Sequence, residues 1–144
     1  MKSQRSAAIV LGALLFAVHV HAGCRLPTPD GGAPDGSENY SPSKENIFGD
    51  IERVELPNVF VRNGKKKQLE QISVSKIGAV YSVYGGDEAV DALKPGLQVW
   101  IWFEGCKRPK DGPAFAAYFQ FFSTDPNERA KLNRNGKIVS VPSS

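Results

Sequence analysis

Histidine is nearly missing from this chain: there are two among 144 residues, His19 and His21, and both fall within residues 1–22. That stretch reads as a cleavable leader. Without it no imidazole remains to relay protons in a Ser-His-Asp or Cys-His arrangement, or to give a neutral nitrogen to zinc. An excess of charge is missing too. Lys+Arg number 18 against 15 Asp+Glu, a net +3; losing Lys2 and Arg5 with the leader leaves 16 against 15, a net +1. Such a balance makes no case for nucleic-acid binding. Phosphate loops are absent as well, because Gly31-Gly32 and Gly85-Gly86 lack the remaining spacing and the following Lys-Ser/Thr. Asp87 and Asp91 stand one helical turn apart without the loop spacing of a calcium hand. No metal or cofactor is therefore expected, and no internal repeat is seen. Carboxylate chemistry stays open, since two acids suffice for glycoside hydrolysis.

What is present begins with the leader. Lys2 and Arg5 precede an apolar run over residues 7–18 that is too short to span a bilayer and is followed by small residues. This is the layout of a secretory signal peptide over residues 1–22. The text around its end, "FAVHVHAGCRLPTPDGG", has two readings. In one, cleavage falls after Ala22. In the other, "AGC" closes a bacterial lipobox and Cys24 carries a diacylglyceryl thioether, although His21 stands where a lipobox has an aliphatic residue. Residues 27–46, "PTPDGGAPDGSENYSPSKEN", offer almost nothing to bury. Such a stretch cannot offset its ordering entropy, so residues 23–46 are expected to be a flexible tether of the kind that hangs a domain from a lipid. Lipidation of Cys24 is the expectation, and Arg25 after it favours the outer membrane of a Gram-negative cell. The alternative is an exported chain in which Cys24 pairs with Cys106. The two outcomes exclude each other, because the lipid would use up the Cys24 sulfur.

Apolar patterning resumes at Ile47 and supports one domain over residues 47–144. Residues 47–56, 59–62 and 67–74 read as strands. Asn63-Gly64 between the second and third predicts a hairpin with a type I′ turn. Residues 76–86 have apolar groups on both faces, as in a strand covered on both sides, with a bend at Gly78 letting it serve two sheets. Asp87 is expected to cap a short helix over residues 88–93. Asp125, Pro126 and Glu128 are expected to open a second, ending near Leu132. Residues 96–106, 114–123 and 137–141 complete the strands. The expected fold is mainly β (α+β): a small antiparallel β-barrel or curved sheet, OB-like or SH3-like, of six or seven strands with two short helices. An α+β sandwich fits the same count.

In "GLQVWIWFEGC" the alternation places Val99, Ile101 and Phe103 on one face and Trp100, Trp102 and Glu104 on the other. In residues 114–123 one face reads Phe115, Ala117, Phe119 and Phe121, and the second holds Tyr118 and Phe122. Pairing the two strands gathers Trp100, Trp102, Tyr118 and Phe122 into one aromatic face. Exposed, it would be a platform for a sugar, a peptide or a protein; covered, it would be half of a core. The cationic loop Lys107, Arg108 and Lys110 beside Cys106 is a second candidate contact surface, with solvation of a hairpin end as its plain alternative. The functional expectation is a non-enzymatic envelope protein that binds a protein partner or cell-wall glycan, in one version an inhibitor or immunity protein. It would touch the membrane only through a lipid anchor, and otherwise be periplasmic or secreted. The rivals are a small glycan hydrolase using Glu104 or Asp111, and a purely structural secreted protein.

Overall fold

The structure, a computed structural model, describes residues 23–30, 36 and 38–141. The proposed signal peptide lies outside the described residues. Among the described residues nine strands follow in order: β1 (Ile47–Glu55), β2 (Asn58–Asn63), β3 (Leu69–Ser73), β4 (Val80–Ser82), β5 (Asp87–Glu88), β6 (Gln98–Phe103), β7 (Ala114–Phe121), β8 (Lys131–Leu132) and β9 (Ile138–Ser140). Seven of them form one sheet in the order β3-β2-β1-β6-β7-β4-β5. The sheet closes on itself where β3 pairs in parallel with β7, Ile72 facing Ala114. Closure through β1, β2, β3, β7 and β6 makes a five-stranded barrel, so the expectation of a small, mainly β barrel holds. Closing also removes the open edges that a flat sheet of this length would leave.

The barrel interior is filled from both halves of the chain. Val59, Val61, Ile72, Val99, Ile101, Phe103 and Phe119 meet there, each at most 1% exposed. The alternation along β6 therefore falls as its sequence predicts. Along β7 it does not. Trp102 faces Tyr118 but Phe103 faces Ala116, so Ala117 is an extra residue bulged out of the ladder. The bulge reverses the phase of the strand. Ala114 and Ala116 join the barrel core with Phe119 and Phe121, while Phe115, expected inside, is half-buried under the Lys76 ammonium, 4.6 Å from its ring centre.

Two further expectations need correcting. The β2–β3 hairpin forms, but its turn is not a two-residue type I′ turn. The Asn63 carboxamide oxygen accepts from the amides of Lys65 and Lys66, and the positive φ falls at Lys67, +60°. An asparagine that satisfies the loop with its own side chain makes a longer connection possible. The long segment after β3 is also broken. A turn in which the Ile77 amide bonds the Val74 carbonyl separates β3 from β4, and both then run parallel to β7 at its two ends.

Neither helix exists as expected. Asp87 and Glu88 are strand β5, and only Val90–Ala92 makes a single 3-10 turn, preceded by an extended Ala89. In the second case the Asp125 carboxylate bonds the Asn127 amide at 2.9 Å, and Glu128 accepts from the Ser123 hydroxyl, so the capping residues close a local turn. The Ala130 amide and carbonyl that a helix would use are both taken by the buried Gln98 carboxamide, at 2.9 and 3.0 Å. Segments of six or seven residues cannot repay helix nucleation against such partners.

Candidate functional site

The outer face of β6 and β7 carries the second apolar layer. Trp100, Trp102, Tyr118 and Phe122 do gather there, but they are 5–6% exposed. Leaving them in water would forfeit on the order of 3 kcal/mol each, comparable in sum to a whole domain's net stability. Leu132 and Ala130 cover them from one side, Tyr81 and Val83 from another, and Leu26 from the N-terminal segment. The four rings are thus a second core rather than an open platform. Tyr118 stacks on Tyr81 at 4.9 Å and meets the edge relation to Trp102 at 5.7 Å. Its hydroxyl is the buried side-chain polar atom with no hydrogen-bond partner among the described residues. Burial first, then the neighbouring Tyr81 and Asp30, pushes its pKa up to about 12.

Residues expected to be a free tether are fastened down. Cys24 and Cys106 form a disulfide with their Cα atoms 5.2 Å apart. The Cys24 sulfur is therefore occupied, and a thioether on the same atom is excluded in this structure. Beyond the disulfide, the Ser43 amide donates to the Arg25 carbonyl at 2.7 Å and the Arg25 amide to the Ser43 hydroxyl at 3.0 Å. Tyr40 donates its hydroxyl proton to the Leu26 carbonyl. The Trp102 indole N–H donates to the Ser43 carbonyl at 2.7 Å, and Asn46 bridges the end of β6, giving to the Cys106 carbonyl and accepting from the Phe103 amide. The described part of this segment lies across the aromatic layer and finishes covering it.

The cationic loop is split by the fold. Arg108 is drawn to Glu70, an 8% exposed carboxylate on β3 that also accepts from the Asn63 carboxamide at 2.8 Å, and its guanidinium sits 5.3 Å from the Phe103 ring centre. Lys107 and Lys110 remain exposed. Glu104 pairs with Lys76 at 3.3 Å in the open, and Asp111 is exposed on the same loop. Among the described residues no three His, Cys, Asp or Glu side chains gather as metal ligands would.

A groove remains over the aromatic layer. It holds about 600 Å³ between the N-terminal segment and the turn after β4, where Tyr40, Tyr84 and the edge of Trp102 meet Asp30 and Gln120. Tyr84 is its most open ring, at 71% exposure. Neither Tyr40 nor Tyr84 stands out as a site residue in the sequence, because each is alone in a turn-forming stretch. A tyrosine set beside Gly85-Gly86 was the available signal, since a turn projects a large ring into solvent. A concave, mostly apolar site with a few convergent polar groups is the usual form of a ligand or partner pocket. Comparison with known proteins adds nothing, as no family model, curated protein or solved structure matches this chain.

Proposed function

We propose that this chain is an exported, non-enzymatic binding module of a bacterial envelope, stapled by its Cys24–Cys106 bond and acting in the periplasm or outside the cell. The disulfide is the observation that carries the export reading. Such bonds persist in oxidising compartments, and this one joins the first residues after the leader-like segment to the end of β6. The groove around Tyr84 and Trp102 is the contact surface for a protein partner or cell-wall glycan. Rigid aromatic rings give large contact area at low entropic cost, and tyrosine adds a polar tip. With Cys24 committed to the disulfide, no lipid anchor is part of this reading.

Two measurements test it. The mass of the mature chain from an envelope fraction should fall two hydrogens below the reduced value, with no acyl addition. Immobilised mature protein should capture a partner from envelope extract, and Tyr84→Ala should lose it. An acylated Cys24 sinks the export-and-staple half. No capture, together with glycan turnover that disappears in Glu104→Gln, makes the chain a hydrolase instead.

A further inference from the structure

A second cleft, of about 460 Å³, lies between the β2–β3 loop and the β8–β9 hairpin, away from Tyr84. Four of its lining side chains are cations, Lys65, Lys67, Arg129 and Arg134, and one is an acid, Asp50. Residues 23–144 carry a net charge of only +1, from 16 basic and 15 acidic groups, so this cleft concentrates +3 while the rest of those residues are net negative. Arg129 is committed to Asp50. Lys65, Lys67 and Arg134 have no carboxylate partner among the described residues.

Like charges drift apart unless something holds them. Here the backbone does. Phe48, on β1, is clamped between the two loops. A Cβ added at Gly64 would come within 2.7 Å of its ring, and one at Gly136 within 2.4 Å. Only glycine lets both loops press on that ring, and Gly136 also holds a φ of +77°. The hairpin is tied further by the Trp100 indole N–H, which donates to the Gly136 carbonyl at 2.8 Å. Across the cleft, Lys67 keeps a left-handed backbone while Arg62 donates to its carbonyl at 3.0 Å. Both loops thus pack on one half-buried aromatic ring, which sets the two cationic walls of the cleft opposite each other.

We infer that this cleft binds a multivalent phosphate group, with Lys65, Lys67 and Arg134 as its cations. Lysine ammoniums act as point charges on phosphate oxygens and an arginine fork can bind two at once. The inference is independent of the Tyr84 groove, and either can fail alone.

The test is calorimetric titration of the mature, disulfide-bonded protein with inorganic tripolyphosphate at low salt, beside inorganic sulfate. Saturable tripolyphosphate binding is expected, weakened tenfold or more in Lys67→Ala/Arg134→Ala, retained in Lys67→Arg, and unchanged in the charge-matched Lys76→Ala/Lys94→Ala. All these positions are exposed, and unchanged melting curves would show that the variants fold. Absence of saturable binding overturns the inference. So does an equal loss in the charge-matched variant, which would reduce the effect to net charge, or a preference for sulfate.

Discussion

Replacing both cysteines, Cys24→Ser/Cys106→Ser, should cost this small barrel a large share of its stability. The bond closes a loop with a sequence separation of 82. The chain-entropy relation gives about 4.5 kcal/mol for a loop of that length. A domain of this size has a net stability of about 5–15 kcal/mol, so the loss takes from a third to nearly all of it. At roughly 4 °C per kcal/mol the melting temperature should fall by about 15–20 °C. The structure also says where the loss begins. Ordering the described residues of the N-terminal segment costs on the order of 1 kcal/mol each, whereas each of the hydrogen bonds to Ser43, Leu26 and Asn46 returns about 1 kcal/mol net. Unstapled, the segment should lift away from Trp102 before the barrel opens. Urea unfolding followed by circular dichroism gives the first quantity, and iodide quenching of tryptophan fluorescence gives the second. Quenching should be weak in the oxidised protein, where both indoles are at most 6% exposed, and stronger in the variant. A loss below about 1 kcal/mol with unchanged quenching would refute the reasoning, because the segment would then be held by packing alone.

Three other outcomes follow from single residues. Burial pushes the Tyr118 pKa up to about 12 in the folded chain from the ordinary 10.0, so between pH 10 and 12 the unfolded chain has lost a proton that the folded one keeps. Below pH 10 the group leaves stability unchanged, and stability falls as pH rises through that window, by at most about 3 kcal/mol. Tyr118→Phe should flatten the alkaline limb of a stability-against-pH curve and be neutral or slightly stabilising at pH 7, because the hydroxyl it removes is buried without a partner; a loss above about 1 kcal/mol at pH 7 would contradict the assignment. Arg108→Ala should cost about 1–3 kcal/mol in urea unfolding by leaving the buried Glu70 without its guanidinium, whereas Lys110→Ala should stay within about 0.5 kcal/mol. Equal effects would show that the loop acts only as a solvated end. Gly136→Ala should destabilise by about 1–3 kcal/mol, since the new methyl meets Phe48 at 2.4 Å on a backbone at φ +77°. An unchanged unfolding midpoint would mean the hairpin is not seated on that ring.

Hydrogen-bond partners distant in sequence explain where local reading failed. Asp125, Pro126 and Glu128 spell a helix start, yet Gln98, thirty-two residues before Ala130, captures that backbone in extended form. The Ala117 bulge likewise leaves no local mark, because alanine suits either face; it exists to bring β7 into register with β6 and β3 at once. The groove residues Tyr40 and Tyr84 belong to separate turns that meet only when the N-terminal segment folds back.

By itself the sequence determined the class of fold and its central element. Strict alternation in Gln98–Phe103 commits Val99, Ile101 and Phe103 to one side and both tryptophans to the other, since successive side chains on a strand must point oppositely. It also narrowed Cys24 to two exclusive fates. Tertiary structure alone placed Cys24 against Cys106, because a disulfide requires two Cα atoms brought close, here to 5.2 Å, across 82 positions, and no local pattern encodes that distance. It alone decided, too, that the tryptophans are covered: what lies over a strand face is contributed by Leu26, Leu132 and Ala130, residues brought there by closure of the chain rather than by anything written next to the rings.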